Sequence, residues 1–140
     1  MRNTPWANIV LQSDTGANDS DKTLTVSTGK QWQIHSVYAL LASTATEGNR
    51  QLDILITDAS DNPIMKAVAG AVQPASQTYT YVFAVDNPQE TGFTGDLMYR
   101  ALPGQLILPA GYKVRVYDSA AVAAAADDLT LRLLVEERTE

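Results

Sequence analysis

The sequence contains no cysteine and a single histidine, His35. Without cysteine there are no disulfides, no thiolate metal sites and no cysteine nucleophile. One histidine excludes metal sites built from paired histidines, and Ser–His catalysis would depend on a residue in the middle of a predicted strand. Gly-rich phosphate loops and the Gly-x-Ser-x-Gly elbow are also missing. We therefore expect a protein that is not an enzyme and that has no metal and no cofactor.

Basic residues are few and long apolar runs are lacking. Ten Lys and Arg stand against sixteen Asp and Glu, which gives a net charge of -6. Nucleic-acid surfaces need clustered Lys and Arg, and the nearest approach to a cluster is Lys113 with Arg115. No apolar run approaches the roughly 20 residues that span a bilayer, and residues 1–6 lack the apolar core of a signal peptide. We expect a protein made in the cytoplasm, with neither a nucleic acid nor a membrane as partner.

What the sequence does contain is two-residue alternation of apolar and polar side chains, which is typical of half-buried strands. The predicted strands cover residues 22–28, 31–42, 51–58, 64–69, 78–85, 97–101, 105–108, 112–117 and 129–135. In residues 31–42 the predicted alternation runs from Trp32 through Ile34, Ser36, Tyr38 and Leu40 to Ala42, and a helix through Val37, Tyr38 and Leu41 is the alternative. The Ala-rich residues 119–126 are predicted to form a turn or one short helix.

Eight or nine short strands with turns every 8–12 residues predict an all-β, antiparallel β-sandwich, with the jelly roll as the favoured variant. At 140 residues the chain has room for one domain. We assign residues 1–21 to an N-terminal arm and polar loop, and residues 22–140 to the sandwich. Residues 86–96 form the longest interior loop, and loops of this length usually have a function or cover another part of the molecule.

The N-terminal arm carries an apolar segment, residues 5–11, which includes Trp6, Ile9 and Leu11. Two placements are open for it. It packs on its own sandwich as a first strand, or it lies across a neighbouring subunit and adds to an exposed edge. Trp32 is expected in the core, although paired tryptophans on one face of a sandwich would also suit sugar binding.

Two acidic patterns have a functional and a structural interpretation. Asp14-Thr15-Gly16 matches the triplet of aspartic proteases, but polar residues stand where the protease has an apolar strand, so an exposed loop is favoured. The acidic loops at 14–21, 58–61 and 127–128 offer oxygen ligands to calcium, yet none has a complete calcium-loop spacing. Solvated turns are the favoured interpretation of all three.

A longer pattern resembles a known class of proteins. Residues 108–118 are followed by the Ala-rich run, Asp127-Asp128 and an alternating last strand, and residues 32–35 and 48–51 belong to the same pattern. Over about residues 30–137, leaving the arm outside, the sequence is similar to small virion proteins of tailed bacteriophages, the capsid decoration or cement proteins. This resemblance implies a jelly roll or related β-sandwich, often trimeric, on the outer capsid surface of the virion.

The resemblance predicts a structural role. We expect a homo-oligomer, a trimer, that binds the lattice of the major capsid protein and stabilises the expanded shell. The residues predicted to make contacts are Trp6, Ile9 and Leu11 as an apolar anchor, and Phe93 in the 86–96 loop. The alternative is a carbohydrate- or receptor-binding module of a phage fibre or tail, which uses Trp or Tyr faces. An aspartic protease is a third hypothesis.

Overall fold

The computed structural model describes residues 8–140, and all regular structure in that range is β-strand. The strands are β1 (Asn8–Asp14), β2 (Asp21–Thr25), β3 (Lys30–Ala42), β4 (Leu52–Thr57), β5 (Pro63–Val68), β6 (Thr78–Val85), β7 (Leu97–Leu102), β8 (Ile107–Leu108), β9 (Lys113–Asp118) and β10 (Asp128–Thr139). The helix considered for residues 37–41 does not form, since these residues lie within β3.

The strands form two sheets with the nested pairing of a jelly roll. The larger sheet has the order β1-β10-β3-β6-β7, with β8 paired to β3, and the smaller sheet has the order β2-β9-β4-β5. If β7 and β8 are set aside, the remaining eight strands pair first with last, second with second-last and so on inwards. This pairing is that of one long antiparallel hairpin wrapped into two sheets, which is the topology of a jelly roll. The predicted antiparallel β-sandwich is confirmed, and its predicted variant, the jelly roll, is the one observed. One pairing differs, because β7 runs parallel to β6.

The core lies between the sheets and is built from the inward-facing half of each strand. Leu52, Ile54 and Ile56 of β4 are buried at every second position, as the alternation predicts. Trp32 is 1% exposed, and its indole N–H donates to Glu137 Oε2 at 3.0 Å. Full burial of an aliphatic side chain such as Leu or Ile stabilises the fold by about 1.5–3 kcal/mol. Trp32 is therefore a core residue and presents no face to a sugar.

A β-bulge in β3 changes which residues face the core. The register with β10 passes from Ile34 opposite Val135 to Ser36 opposite Leu134, so β3 has one additional residue at this point. The buried residues are accordingly Trp32 and Ile34 before the bulge, and Val37, Ala39 and Leu41 after it. The predicted uninterrupted alternation from Trp32 to Ala42 is wrong here, because a bulge reverses the face of every residue that follows it. Tyr38 and Leu40 consequently lie on the outer side of the sheet.

The remaining predicted connections are turns and covering loops. Residues 119–126 form turns and no helix. The carboxylate of Asp118 accepts N–H bonds from Gln51, Ala120 and Val122 at 2.8–2.9 Å, which fixes the start of this Ala-rich turn.

Residues 8–14 of the N-terminal arm pack on their own sandwich as a first strand, which is one of the two placements considered for the arm. This follows because β1 pairs with β10 of the same chain along its whole length.

Candidate interaction surface

The outer side of the larger sheet carries five of the eight large apolar side chains that are exposed among the described residues: Ile9, Leu11, Tyr99, Ile107 and Leu134. Three of the rows of side chains that cross it contain these exposed apolar residues, as the strand register shows. The rows are Ser13-Arg132-Tyr38-Val82-Tyr99, Leu11-Leu134-Ser36-Ala84-Ala101 and Ile9-Glu136-Gln33-Ile107. With strands about 4.8 Å apart, the five-strand rows are roughly 20 Å wide. We refer to these three rows as the broad face.

The broad face carries little charge in a protein with a net charge of -6. Its rows hold one cation, Arg132, and one carboxylate, Glu136. The guanidinium of Arg132 lies over the ring of Tyr38, with 5.9 Å from its carbon to the ring centroid. Exposed apolar surface of this extent, bordered by polar groups, is typical of protein interaction sites.

The outer side of the smaller sheet differs from the broad face because it carries several charged side chains. Three cations stand on it, and each has a carboxylate partner at 3.3 Å or less. The pairs are Lys113–Asp61, Arg115–Asp21 and Lys66–Asp53. Arg115 also lies 3.8 Å from the ring centroid of Tyr117. These ion pairs make this side of the sandwich polar, in contrast to the broad face.

Two of the predicted contact residues lie at one border of the broad face. Ile9 is 62% exposed and Leu11 is 58% exposed, on the outward side of the edge strand β1. Leu11 stands opposite Leu134, which is also exposed, so the apolar surface continues from β1 onto β10. Trp6, the third predicted anchor, lies outside the described residues.

Phe93, the fourth predicted contact residue, is half-buried and packs inwards. Its ring centroid lies 4.4 Å from that of Tyr79 and 5.4 Å from that of Tyr81, the latter in an edge-to-face arrangement. Aromatic pairs at these distances are stabilising beyond the area that they bury. Phe93 therefore anchors the 86–96 loop to β6, and a contact with a partner stays a prediction.

The 86–96 loop covers the free edge of β7. Tyr99 N–H donates to Glu90 Oε1 at 2.6 Å, and Ala101 N–H donates to Gln89 Oε1 at 3.1 Å. The loop also passes so close to Gly70 that a Cβ there would stand 2.2 Å from the carbonyl oxygen of Glu90. This long loop accordingly protects a sheet edge.

One end of the sandwich is closed by a buried ion pair between Arg50 and Asp127, both of which are fully buried. Nε and Nη2 of Arg50 donate to the two carboxylate oxygens at 2.8 and 3.1 Å. Nη1 donates to the carbonyls of Thr46 and Gly48, and Thr44 donates its N–H and hydroxyl to Asp127. Desolvation raises the pKa of Asp127, but the hydrogen bonds from Arg50 and Thr44 outweigh it and hold the pKa below its ordinary value.

This ion pair explains part of the sequence pattern that carries the resemblance. Gly48–Gln51 and Asp127-Asp128 are far apart in the chain, and the fold joins them through Arg50 and Asp127. A Cβ on Gly48 would stand 3.2 Å from Val122 of the Ala-rich turn, at a φ of +127° that favours glycine. The pattern is therefore structural, and it fixes the loops at this end of the sandwich.

The Asp-Thr-Gly triplet is part of a local loop structure. The Asp14 carboxylate accepts the Gly16 N–H at 3.1 Å and the ammonium of buried Lys22 at 3.0 Å. The Gly16 bond and then Lys22 hold the pKa of Asp14 below its ordinary value. A protease dyad needs two carboxyl groups that share a proton, whereas the Asp14 carboxylate is bonded to an N–H and to an ammonium group. The arrangement gives no support to the protease hypothesis.

His35 lies at the β-bulge. Its Nε2 is 3.8 Å from Glu136 Oε2, too far for a hydrogen bond. The acidic side chain beside His35 therefore belongs to β10, the neighbouring strand of the sheet. Among residues 8–140, no three His, Cys, Asp or Glu side chains are gathered as ligands for a metal ion.

The acidic turn at 58–61 binds its own backbone. The Asp58 carboxylate accepts N–H bonds from Ser60 and Asn62 at 2.8 and 2.9 Å, and the side-chain amide of Asn62 lowers its pKa most strongly. Residues 58–61 are thus a turn, as predicted, in which an Asx side chain bonds to its local backbone. No helix in the described part of the chain has the length and apolar character needed to cross a bilayer.

Two surface cavities in the described residues lie beside charged side chains. One of about 280 Å³ lies between β5 and β7 and includes Lys66 and Arg100 in its lining. Another of about 170 Å³ lies on the outer side of the smaller sheet, beside Lys113 and Arg115. No aromatic ring lines either cavity, so neither offers a stacking surface for a sugar.

No protein-family model and no curated protein matches the sequence. Among solved structures, an exo-β-agarase is 12% identical with a TM-score of 0.38, over 98% of this chain and 23% of that one. The structure of infectious bursal disease virus strain Gx is 9% identical with a TM-score of 0.33, over 97% of this chain and 37% of that one. The T13 particle of the same virus is 10% identical with a TM-score of 0.31, over 98% and 39%. This chain thus spans less than half of each, and likenesses this weak carry no conclusion about function.

Proposed function

We propose that this protein is a structural, non-enzymatic component of a tailed-phage virion, which binds the outer surface of the capsid and stabilises the expanded shell. The observation that carries the proposal is the broad face. It is a wide, nearly uncharged, apolar surface on one side of a sandwich whose other side is covered with ion pairs. A binding role needs such a surface and needs no catalytic group.

The broad face suits a role in which many weak contacts add together. A decoration protein meets the same capsid surface at many equivalent positions, so a homo-oligomer that engages several of them gains by effective concentration. Binding to the expanded lattice in preference to free subunits then stabilises the shell by mass action. For that homo-oligomer the resemblance implies a trimer.

The structure favours this role over a fibre or tail module that binds carbohydrate. Trp32 is buried, and neither cavity contains an aromatic ring. The rings of the broad face are the half-buried Tyr38 and the exposed Tyr99, on either side of Val82. They are spaced across the sheet within an apolar surface, which is more suitable for a protein partner than for a polar sugar.

The proposal is tested first by quantitative mass spectrometry of purified virions of the phage that encodes the chain. We expect a copy number that fits occupation of most positions of the capsid lattice. A handful of copies per particle would assign the protein to a tail or fibre. Absence from the particle would refute the proposal.

A second test uses co-sedimentation with expanded shells and a pair of matched variants. Leu134 on the broad face and Val68 on β5 are each 39% exposed. Leu134→Lys is expected to weaken shell binding at least tenfold, or about 1.4 kcal/mol, because it places a charge in the apolar interface. Val68→Lys is expected to bind as the unaltered protein does. Equal binding by both variants would exclude the broad face as the docking surface, and binding to host polysaccharide instead of shells would favour the fibre or tail role.

A further inference from the structure

Three of the four sheet edges in the described residues are protected against pairing with another chain. On β7, Gln89 and Glu90 occupy the outward N–H groups. On β5, Pro63 lacks an N–H, and the Val68 carbonyl accepts a bond from Arg100. The third edge, β2, is short and contains two charged residues. Short strands, charges, proline and covering loops are the usual means by which proteins protect sheet edges.

The fourth edge, β1, lacks these protections over residues 8–13. It is seven residues long, contains no proline, and carries one charge, Asp14, at its end. β10 pairs with one side of β1, and no strand among residues 8–140 pairs with the other. Its exposed side chains include Ile9 and Leu11. A long apolar edge of this kind is a template for pairing with another chain.

Two backbone bonds show which groups of β1 point to this free side. On β10, the N–H of Leu129 donates to the carbonyl of Asp19, which lies on the side of β1. The N–H of Glu140, just past the end of β10, donates to the carbonyl of Gly29, which lies next to β3. Because backbone groups point alternately to the two sides of a strand, odd-numbered residues of β10 bond to β1. Their partners in β1 are even-numbered. The N–H and C=O groups of Ile9 and Leu11 therefore point away from β10.

We propose that β1 pairs antiparallel with β1 of a second copy of this chain, across a two-fold axis. The pairing places Ile9 of one copy opposite Leu11 of the other, and Leu11 opposite Ile9. Both residues direct their backbone groups to the free side, so these two pairs exchange about four main-chain hydrogen bonds. A two-fold interface requires a self-complementary strand, and this register satisfies the requirement.

Side chains and charges agree with a second copy as the partner. The exposed Ile9 and Leu11 of both copies become neighbours, and Leu134 extends the same row in each. Residues 8–13 are uncharged, so no like charges are brought opposite one another despite the net charge of -6. The two larger sheets then form one continuous sheet with a broad face of twice the width.

This inference goes beyond the proposed function and does not depend on capsid binding. A symmetric β1 pair contains two copies and adds no third, because the free β1 edge of each copy is paired with that of the other copy. It therefore competes with the trimer implied by the resemblance. The molecular mass in solution distinguishes the two.

The test is sedimentation equilibrium of the full chain over roughly 1 µM to 1 mM, a range that covers modest affinities. We expect a mass of twice 15.1 kDa. Leu11→Pro removes an N–H on the free side without breaking a bond to β10, and Leu11→Lys places a protective charge on the edge. Ile64→Lys is the control, since Ile64 is 49% exposed on the protected edge strand β5. Circular dichroism confirms that each variant is folded.

Dimers of the unaltered protein and of Ile64→Lys, with self-association at least tenfold weaker in both Leu11 variants, would support the proposal. A monomer at all concentrations, a trimer, or a dimer insensitive to both Leu11 variants would overturn it. If the protein is monomeric but Leu11→Pro abolishes shell binding, the free edge receives a capsid segment, and only the second-copy proposal fails. If the dimer forms but does not bind shells, the edge pairing stands and the proposed function fails.

Discussion

Replacing Asp127 with asparagine is expected to cause a large loss of stability. The carboxylate is fully buried and accepts two hydrogen bonds from Arg50 and two from Thr44. Asp127→Asn keeps the volume of the side chain but removes the charge that balances a fully buried guanidinium. It also turns an amide N–H group towards a donor of Arg50. Breaking a buried pair on one side costs about 3–5 kcal/mol, and we expect about 3 kcal/mol because part of the hydrogen bonding is retained.

The assay is urea denaturation followed by tryptophan fluorescence, with the free energy of unfolding extrapolated to water. A loss of about 3 kcal/mol corresponds to a decrease in Tm of roughly 6–12 °C for a domain of this size. Asp61→Asn is the control, since it removes the exposed pair with Lys113 and should change the free energy by less than about 0.5 kcal/mol. A loss below about 1 kcal/mol for Asp127→Asn would refute the argument that this buried pair holds the loops together.

The same site predicts a dependence on pH. The pKa of Asp127 lies below its ordinary value of 3.8 in the folded protein. Its stabilising effect is therefore fully present above pH 3.8 and is lost as the pH falls through the lower, folded pKa. The difference in free energy between the unaltered protein and Asp127→Asn should accordingly shrink below pH 3.8. A difference that stays constant through this range would contradict the assigned ion pair.

Further expectations concern the 86–96 loop. Gly70→Ala should cost about 1–3 kcal/mol, because the new Cβ would collide with the backbone at Glu90, whereas Gly92→Ala, with no atom within 4 Å, should stay within about 0.5 kcal/mol in thermal denaturation. Phe93→Ala should cost about 1–2 kcal/mol, less than a fully buried Phe, and should accelerate proteolysis within the loop. Unchanged proteolysis would mean that Phe93 does not anchor the loop.

The sequence predicted the elements well because strand formation here is a local property. Alternation between apolar and polar residues marks β4, β6 and β9 without reference to the rest of the chain, and their inward-facing residues are buried as predicted. The turn at Asp58 was equally predictable, since an Asx side chain bonds to backbone only two to four residues away.

The candidate surface was predictable only in part. The exposed apolar residues Ile9 and Leu11 were visible as an apolar segment, but their continuation onto Leu134 depends on a pairing between the two ends of the chain. Tyr38 was predicted in the same alternating set as Trp32, but the bulge at His35, which leaves no sign in the apolar pattern, places it on the outer side. Phe93 was predicted as a contact residue in the 86–96 loop, and the signal for its packing was the aromatic pattern of β6.

The sequence by itself determined an all-β domain, its strands and its acidic character, because these follow from local alternation and composition. The tertiary structure decided what depends on distant residues meeting: the partner of Arg50, 77 positions away, the apolar rows of the broad face and the open edge of β1. Local patterns do not encode strand order, because the exposure of a strand edge or a sheet face depends on which strands the fold places beside it. The surface available to a partner is therefore a property of the assembled sandwich.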